Sequence, residues 1–246
     1  MTYFDCFNGD ADGICALTQL RRHTPQQAQL ITGVKRDINL LKQIVDDVKP
    51  NDVVTVLDVS MDKNRSALDA VLSKGARVFY CDHHFAGEIP THQNLDSLIN
   101  TTANVCTSLL VNQRLNGAYL GWAVVGSFGD NLDKSATLLS KTLNLDESEL
   151  QKLKDLGIYL NYNGYGAALT DLYFHPSELF QKTVQYDTPQ EFMRADANTF
   201  ATLEDGYLSD MNNARAVAPD YSDQAAAVYI LPDAPWARRV SGVYGN

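Results

Sequence analysis

The 246-residue sequence predicts an α/β fold, a parallel sheet flanked by helices, followed by a helix-rich second half and an incomplete C-terminal α/β unit. Three patterns predict it. Over the first hundred residues short apolar runs alternate with amphipathic segments, as parallel strands joined by crossover helices require. Three of these runs lead into acidic motifs, which places carboxylates at the ends of strands. Beyond them, helical periodicity takes over.

The elements follow in order. Strands are expected at Tyr3 to Phe7, Gln29 to Val34, Val53 to Asp58 and Arg77 to Cys81, with helices near Gly13 to Arg22, Ile38 to Val48 and Lys63 to Lys74. The run Val53-Val54-Thr55-Val56-Leu57 is apolar enough for a central strand. Further helices are expected at Asn104 to Asn116, Tyr119 to Phe128, Ser135 to Leu143, Glu147 to Leu160 and about Asp196 to Val217. The run Asp146-Glu147-Ser148-Glu149 puts negative charge at a helix start, where it complements the macrodipole. His175-Pro176 reads as a turn before a short helix.

Pro219 and small polar neighbours break the helical pattern, so residues 218–224 read as a linker. It separates a domain of residues 1–217 from residues 225–246, a strand over Ala225 to Leu231 and a helix opening at Asp233-Ala234-Pro235. One strand and one helix close no hydrophobic core. That end is expected to pack on the first lobe or on another chain, or to begin a further lobe.

Composition narrows the function classes. Hydrophobic residues make up 45% and charged residues 20%, ordinary for a globular protein and against disorder. Thirty acidic against 20 basic side chains give a net charge of −10, which argues against long nucleic acid as a partner. Small phosphorylated substrates, with cations supplying positive charge, fit better. The start lacks a basic, apolar leader and no stretch approaches the roughly 18 apolar residues of a membrane span, so a cytoplasmic protein is expected. Cys6, Cys15, Cys81 and Cys106 have no CxxC spacing and read as buried thiols.

Four segments carry chemistry: Asp10-Ala11-Asp12-Gly13, Asp58 after its strand, Asp82-His83-His84, and Gly126-Ser127-Phe128-Gly129-Asp130. Each has a plain reading as well. Asp and Gly are the usual turn residues, and Asp130 suits a helix C-terminal turn. Consecutive histidines after an aspartate are more specific, because one imidazole can bind metal while the other meets a phosphate oxygen. Carboxylates and imidazoles in one crevice would need divalent cations to offset their repulsion.

In order and spacing, Asp10-x-Asp12-Gly13, Asp58, Asp82-His83-His84 and Asp130 resemble the DHH phosphoesterase superfamily, over residues 3–131 or so. That superfamily includes RecJ-like exonucleases, nano-RNases and pAp phosphatases, cyclic dinucleotide phosphodiesterases, exopolyphosphatases and family II pyrophosphatases. The resemblance implies two Mn²⁺ or Mg²⁺ ions per site. Asp58 would bridge them, Asp10 would serve one, and Asp12, His83 and Asp130 the other; Asp82 would orient His83, and His84 would touch substrate phosphate. Water activated by both ions would attack phosphorus.

Two departures stand out against that pattern. Cys6 replaces a histidine common four residues before the first aspartate, leaving either a softer metal site or a buried thiol, with Asn8 as a compensating contact. A glycine-rich segment typical of the C-terminal substrate lobe is missing. Arg238 and Arg239 resemble only that lobe's opening and are expected on substrate phosphate if the last segment folds over the crevice. Otherwise clamping is incomplete or comes from a neighbouring subunit of a homodimer.

The cluster Asn161-Tyr162-Asn163-Gly164-Tyr165-Gly166 reads as a helix terminus or as a lining of the crevice. Lys35 and Arg36 follow a predicted strand, where they are either solvated or within reach of phosphate. The expected activity is metal-dependent hydrolysis of short oligonucleotides, a cyclic dinucleotide or pAp. An exopolyphosphatase-like hydrolase and a non-catalytic nucleotide-binding module are the alternatives.

Overall fold

A computed structural model describes residues 1–244. Five parallel strands form the sheet: β1 (Tyr3–Phe7), β2 (Gln29–Ile31), β3 (Val53–Leu57), β4 (Arg77–Asp82) and β5 (Leu95–Ile99), in the order β2-β1-β3-β4-β5. The helices are α1 (Ala11–His23), α2 (Met61–Ser73), α3 (Thr107–Arg114), α4 (Leu120–Gly129), α5 (Asp133–Ser140), α6 (Glu147–Asn163), α7 (Pro176–Thr183), α8 (Pro189–Ala195), α9 (Ala197–Ala216) and α10 (Pro235–Val240). No helix among the described residues is long and apolar enough to cross a membrane.

Alternation along the strands divides the core in two. Phe4, Cys6, Val54, Val56, Val78 and Tyr80 pack with Leu40, Leu41, Ile44, Leu68 and Val71. Phe7, Leu57 and Cys81 point the other way, onto Ile14 and Leu17 of α1, Val111 of α3, Trp122 and Val125 of α4, and Leu156 and Leu160 of α6. A parallel sheet covered on both faces needs strands that are apolar almost throughout, which is why β1, β3 and β4 are the most legible elements. All four cysteines are buried free thiols.

Several expectations are corrected. The helix expected over Ile38 to Val48 is a single 3-10 turn, Leu41–Ile44. Leu40, Leu41, Ile44 and Val48 do have helical spacing and are buried, but the Asn64 side chain takes Leu41 N–H (3.2 Å) and Ile38 C=O (2.7 Å), groups that a continuous helix would use itself. The expected Gln29 to Val34 strand stops at Ile31. β5 was not expected at all; it is an edge strand with Asp96 and Ser97 exposed, and its sequence shows no apolar run.

The end of the chain also differs. Tyr221–Ser222, inside the expected linker, pairs antiparallel with Ala227–Val228 (β6 and β7), all that forms of the strand over Ala225 to Leu231. The last helix packs back onto the first 217 residues: Val240 of α10 is buried with Tyr162 of α6 and with Met211 and Ala214 of α9.

Candidate metal centre

The strand order reverses direction between β1 and β3, and in open α/β sheets the crevice outside the carboxyl ends at that point is where ligands bind. The sequence motifs meet there. Asp10 caps α1 by accepting Gly13 N–H (3.1 Å), and Asp12 lies in the first turn of that helix. Asp58 follows β3, Asp82 ends β4, and Asp130 follows α4. Asp58 holds a left-handed backbone (φ 61°), uncommon for a residue with a side chain and frequent at functional sites. Gly129 admits Asp130 to the crevice, since a Cβ there would sit 2.3 Å from that of Ala11 and 2.8 Å from the Gly157 carbonyl oxygen.

His83 is the centre of the cluster. Its Nε2 is 3.4 Å from Asp58 Oδ1, 3.7 Å from Asp130 Oδ2 and 3.9 Å from Asp12 Oδ2. Three carboxylates converge on one nitrogen atom, all of them beyond good hydrogen-bond length. Donors bound at about 2.1–2.5 Å to one divalent cation stand roughly 3–3.6 Å apart when adjacent. Two groups of donors share His83, Asp12 with Asp130 in one and Asp58 with His84 in the other, and within each group the donor atoms lie within 4.8 Å of one another. The donor set, carboxylate oxygen with imidazole nitrogen, can hold a divalent cation.

Neighbouring groups fix the carboxylates. Thr107 and Ser108 N–H, at the start of α3, each donate to Asp12 at 2.7 Å, and the Thr107 hydroxyl donates to Asp58 Oδ1 at 3.0 Å. These two residues were missed from sequence, although Thr-Ser opening a helix is a signal that N–H groups are available for an anion. Asp82 Oδ2 is buried and has no protein partner, so it too retains an unused acceptor.

Electrostatics follow from crowding. Burial and the charges of Asp12, Asp10, Asp82 and Asp130 push the Asp58 carboxyl well above the usual range. Asp130 is raised to about 7 by burial and by Asp12 and Asp10. Burial would also raise Asp10, but Lys35 and the Gly13 N–H outweigh it and hold Asp10 low. His84 is raised by its hydrogen bond to Asp82, against the effect of burial.

Several expected contacts are corrected. Asp82 does not orient His83: its Oδ1 is 2.7 Å from Nδ1 of His84. Residues two apart on an extended chain share a face, whereas adjacent ones do not. Cys6 lies in the apolar layer around Val54 and Val56, outside both groups of converging donors, and burial raises its thiol far above the ordinary value. The Asn8 amide donates to the Lys35 carbonyl (3.4 Å) and so braces a loop. Arg238 and Arg239 are held by the protein rather than left for phosphate: Arg238 lies on Asp171 (2.7 Å), and Arg239 on Asp210 (2.6 Å) and the Tyr173 hydroxyl (2.8 Å).

Lys35 has more to do than its sequence suggested. Its Nζ is 2.7 Å from Asp10 Oδ2 and donates to Asn161 Oδ1 at 2.8 Å, 5.6 Å from the Tyr165 ring centre. The Asn161 to Gly166 cluster is therefore both helix terminus and lining. Asn161, Tyr162 and Tyr165 join Gly129, Asn131 and Tyr207 around a cavity of about 490 Å³ that flanks Asp130.

No protein-family model matches the chain, and no curated protein matches it in sequence. Solved structures do share its fold. RecJ from Thermus thermophilus, in complex with Mn²⁺, superposes with a TM-score of 0.50 at 14% identity, over 87% of this chain and 36% of that one. An uncharacterized protein from Helicobacter pylori gives a TM-score of 0.39 at 12% identity, over 91% of this chain and 73% of that one. At such identities the likeness to RecJ establishes a similar α/β fold, over about a third of the RecJ chain.

Proposed function

We propose that this protein is a metal-dependent phosphoesterase acting on small phosphorylated substrates. One observation carries the reading: Asp12, Asp58 and Asp130 converge on His83 Nε2 at 3.4–3.9 Å. Like charges kept together in a buried crevice store repulsion that a divalent cation relieves. Asp12, Asp58, His83 and Asp130 would hold the ion, Mn²⁺ or Mg²⁺, which when bound acts as a Lewis acid on a phosphoryl oxygen and makes water more acidic. The RecJ of similar fold was solved with Mn²⁺.

The chain's own groups supply the rest. Thr107 and Ser108 aim Asp12, so the carboxylate is oriented before any ligand arrives. His84 is exposed at the rim and backed by Asp82, which favours its protonated form; it can donate to a phosphate oxygen or to a departing oxygen. Phe85, next to His84 in the chain, is 72% exposed, and Tyr165 lines the adjoining cavity. Aromatic surface favours substrates that carry a base, such as short oligonucleotides, a cyclic dinucleotide or pAp, over linear polyphosphate. The net charge of −10 disfavours long strands.

The test is a panel of these substrates and polyphosphate with Mn²⁺, on wild type and Asp58→Ala. Hydrolysis of a nucleotide substrate is expected, falling by more than about a hundredfold in the variant. Cleavage of polyphosphate alone would reverse the substrate order. Nucleotide binding without turnover of any compound would make the protein a binding module.

A further inference from the structure

Among the crevice carboxylates, Asp10 lies beside Asp58 but is the one with a lysine partner. It belongs to neither group of converging metal donors. Its Oδ1 accepts the Gly13 N–H and its Oδ2 faces the Lys35 ammonium at 2.7 Å. The sequence motifs give Asp10 to a metal ion, whereas the folded chain gives it to a cation of its own.

Lys35 is held in that position from several sides. Its backbone N–H donates to the Gly164 carbonyl at 2.8 Å, its carbonyl accepts from Asn8, and its ammonium donates to Asn161. The loop that carries it fits against the start of α1 so closely that a Cβ on Gly9 would lie 1.9 Å from the Gly33 carbonyl oxygen. An ammonium fixed by β1, the β2 loop and the end of α6 is a built component of the crevice. A divalent ion on the same Asp10 oxygen would meet its positive charge at contact distance. No imidazole takes the ammonium's place from β1 either, because Cys6 lies in the apolar layer around Val54 and Val56.

We propose that Lys35 supplies the fixed positive charge where a second metal ion would stand, so that the crevice takes one divalent cation, on Asp12, Asp58, His83 and Asp130. An ammonium has three N–H donors, and among the described residues Asp10 and Asn161 account for two. The third is left for a phosphate oxygen, at a side chain that is 29% exposed. This last contact rests on the phosphoesterase reading; the ion count does not.

Two measurements on the full chain test it. Calorimetric titration with Mn²⁺, paired with electron paramagnetic resonance of the loaded protein, is expected to give one ion per chain and a spectrum without spin coupling between ions. Lys35→Ala is expected to admit a second, coupled ion, while Lys35→Arg keeps one. A spin-coupled pair on the wild type overturns the inference and leaves the hydrolase reading standing. A wild type that binds no Mn²⁺ overturns both. Lys35→Ala remaining at one ion overturns the claim that the ammonium excludes the second, and if that variant does not fold, the wild-type count still decides. Inorganic phosphate titrated into protein loaded with a single equivalent of Mn²⁺ reads the third N–H: Lys35→Ala should weaken binding by about tenfold or more, and an unchanged affinity removes that contact.

Discussion

The crevice at the ends of β1, β3 and β4 and the dock of α10 on α9 both bury charge, in opposite ways. At the dock every acid has its base. Asp171, buried, accepts Arg238 together with the Ala167 and Ala168 N–H groups, and falls far below the usual carboxylate range; Asp210 holds Arg239 and the Tyr162 hydroxyl. In the crevice Asp12, Asp58, Asp82 and Asp130 crowd together, and Asp58 and Asp130 are pushed upward. Charge balanced within the protein locks two elements together. Charge left unbalanced is a place for something that is not protein.

That contrast can be broken at the dock first, where the largest effect is expected. Arg239→Ala leaves Asp210 buried without its base and should cost about 3 kcal/mol of stability, read by urea denaturation, with Mn²⁺ affinity unchanged. Loss of substrate affinity at unchanged stability would instead return Arg239 to the site.

The crevice should respond to pH in two opposed senses. Between the ordinary carboxylate range near 4 and about 7, folded Asp130 keeps a proton that the unfolded chain has released. Metal-free protein therefore loses stability from this group as pH rises through about 7. Metal binding displaces that proton, so Mn²⁺ affinity should weaken below about pH 7, by up to tenfold per pH unit. Melting and calorimetry of metal-free protein from about pH 5 to pH 8 check both. A flat affinity profile would mean that the crevice acids are balanced after all.

The smallest effect sharpens the comparison. Asp82→Asn takes from His84 the partner that raises it, so its titration in NMR spectra should move down toward the ordinary histidine range and hydrolysis should fall about tenfold. If His83 responded instead, the assignment of Asp82 to His84 would be wrong.

How far the sequence could be read follows the same physics. β1, β3 and β4 are legible because both their faces are buried, and the motifs after them are legible because buried polar residues after apolar runs demand a reason. Segments whose pattern has two physical outcomes misled. Ile38 to Val48 has helical spacing, yet Asn64, a residue on another element, decides its backbone. β5 pairs on one side only and shows no continuous apolar run. Asp12, Asp58, His83 and Asp130, singled out by their motifs, meet in the crevice, but the Asp82 partner could not be read from sequence, since it depends on which of two adjacent histidines shares its face. Lys35 was visible only as a base after a strand. Its meeting with Asn161, 126 residues along the chain, is a product of the fold.

Asp58 ties these threads to folding itself. Its left-handed backbone is one that most L residues avoid and that Asp and Asn tolerate best, at a penalty of up to about 1–2 kcal/mol that glycine would escape. A glycine there would ease the turn out of β3 and erase the carboxylate at the heart of the crevice. The position therefore sets robustness against chemistry: a sequence change that makes this chain sturdier at residue 58 gives up the metal-binding group proposed there.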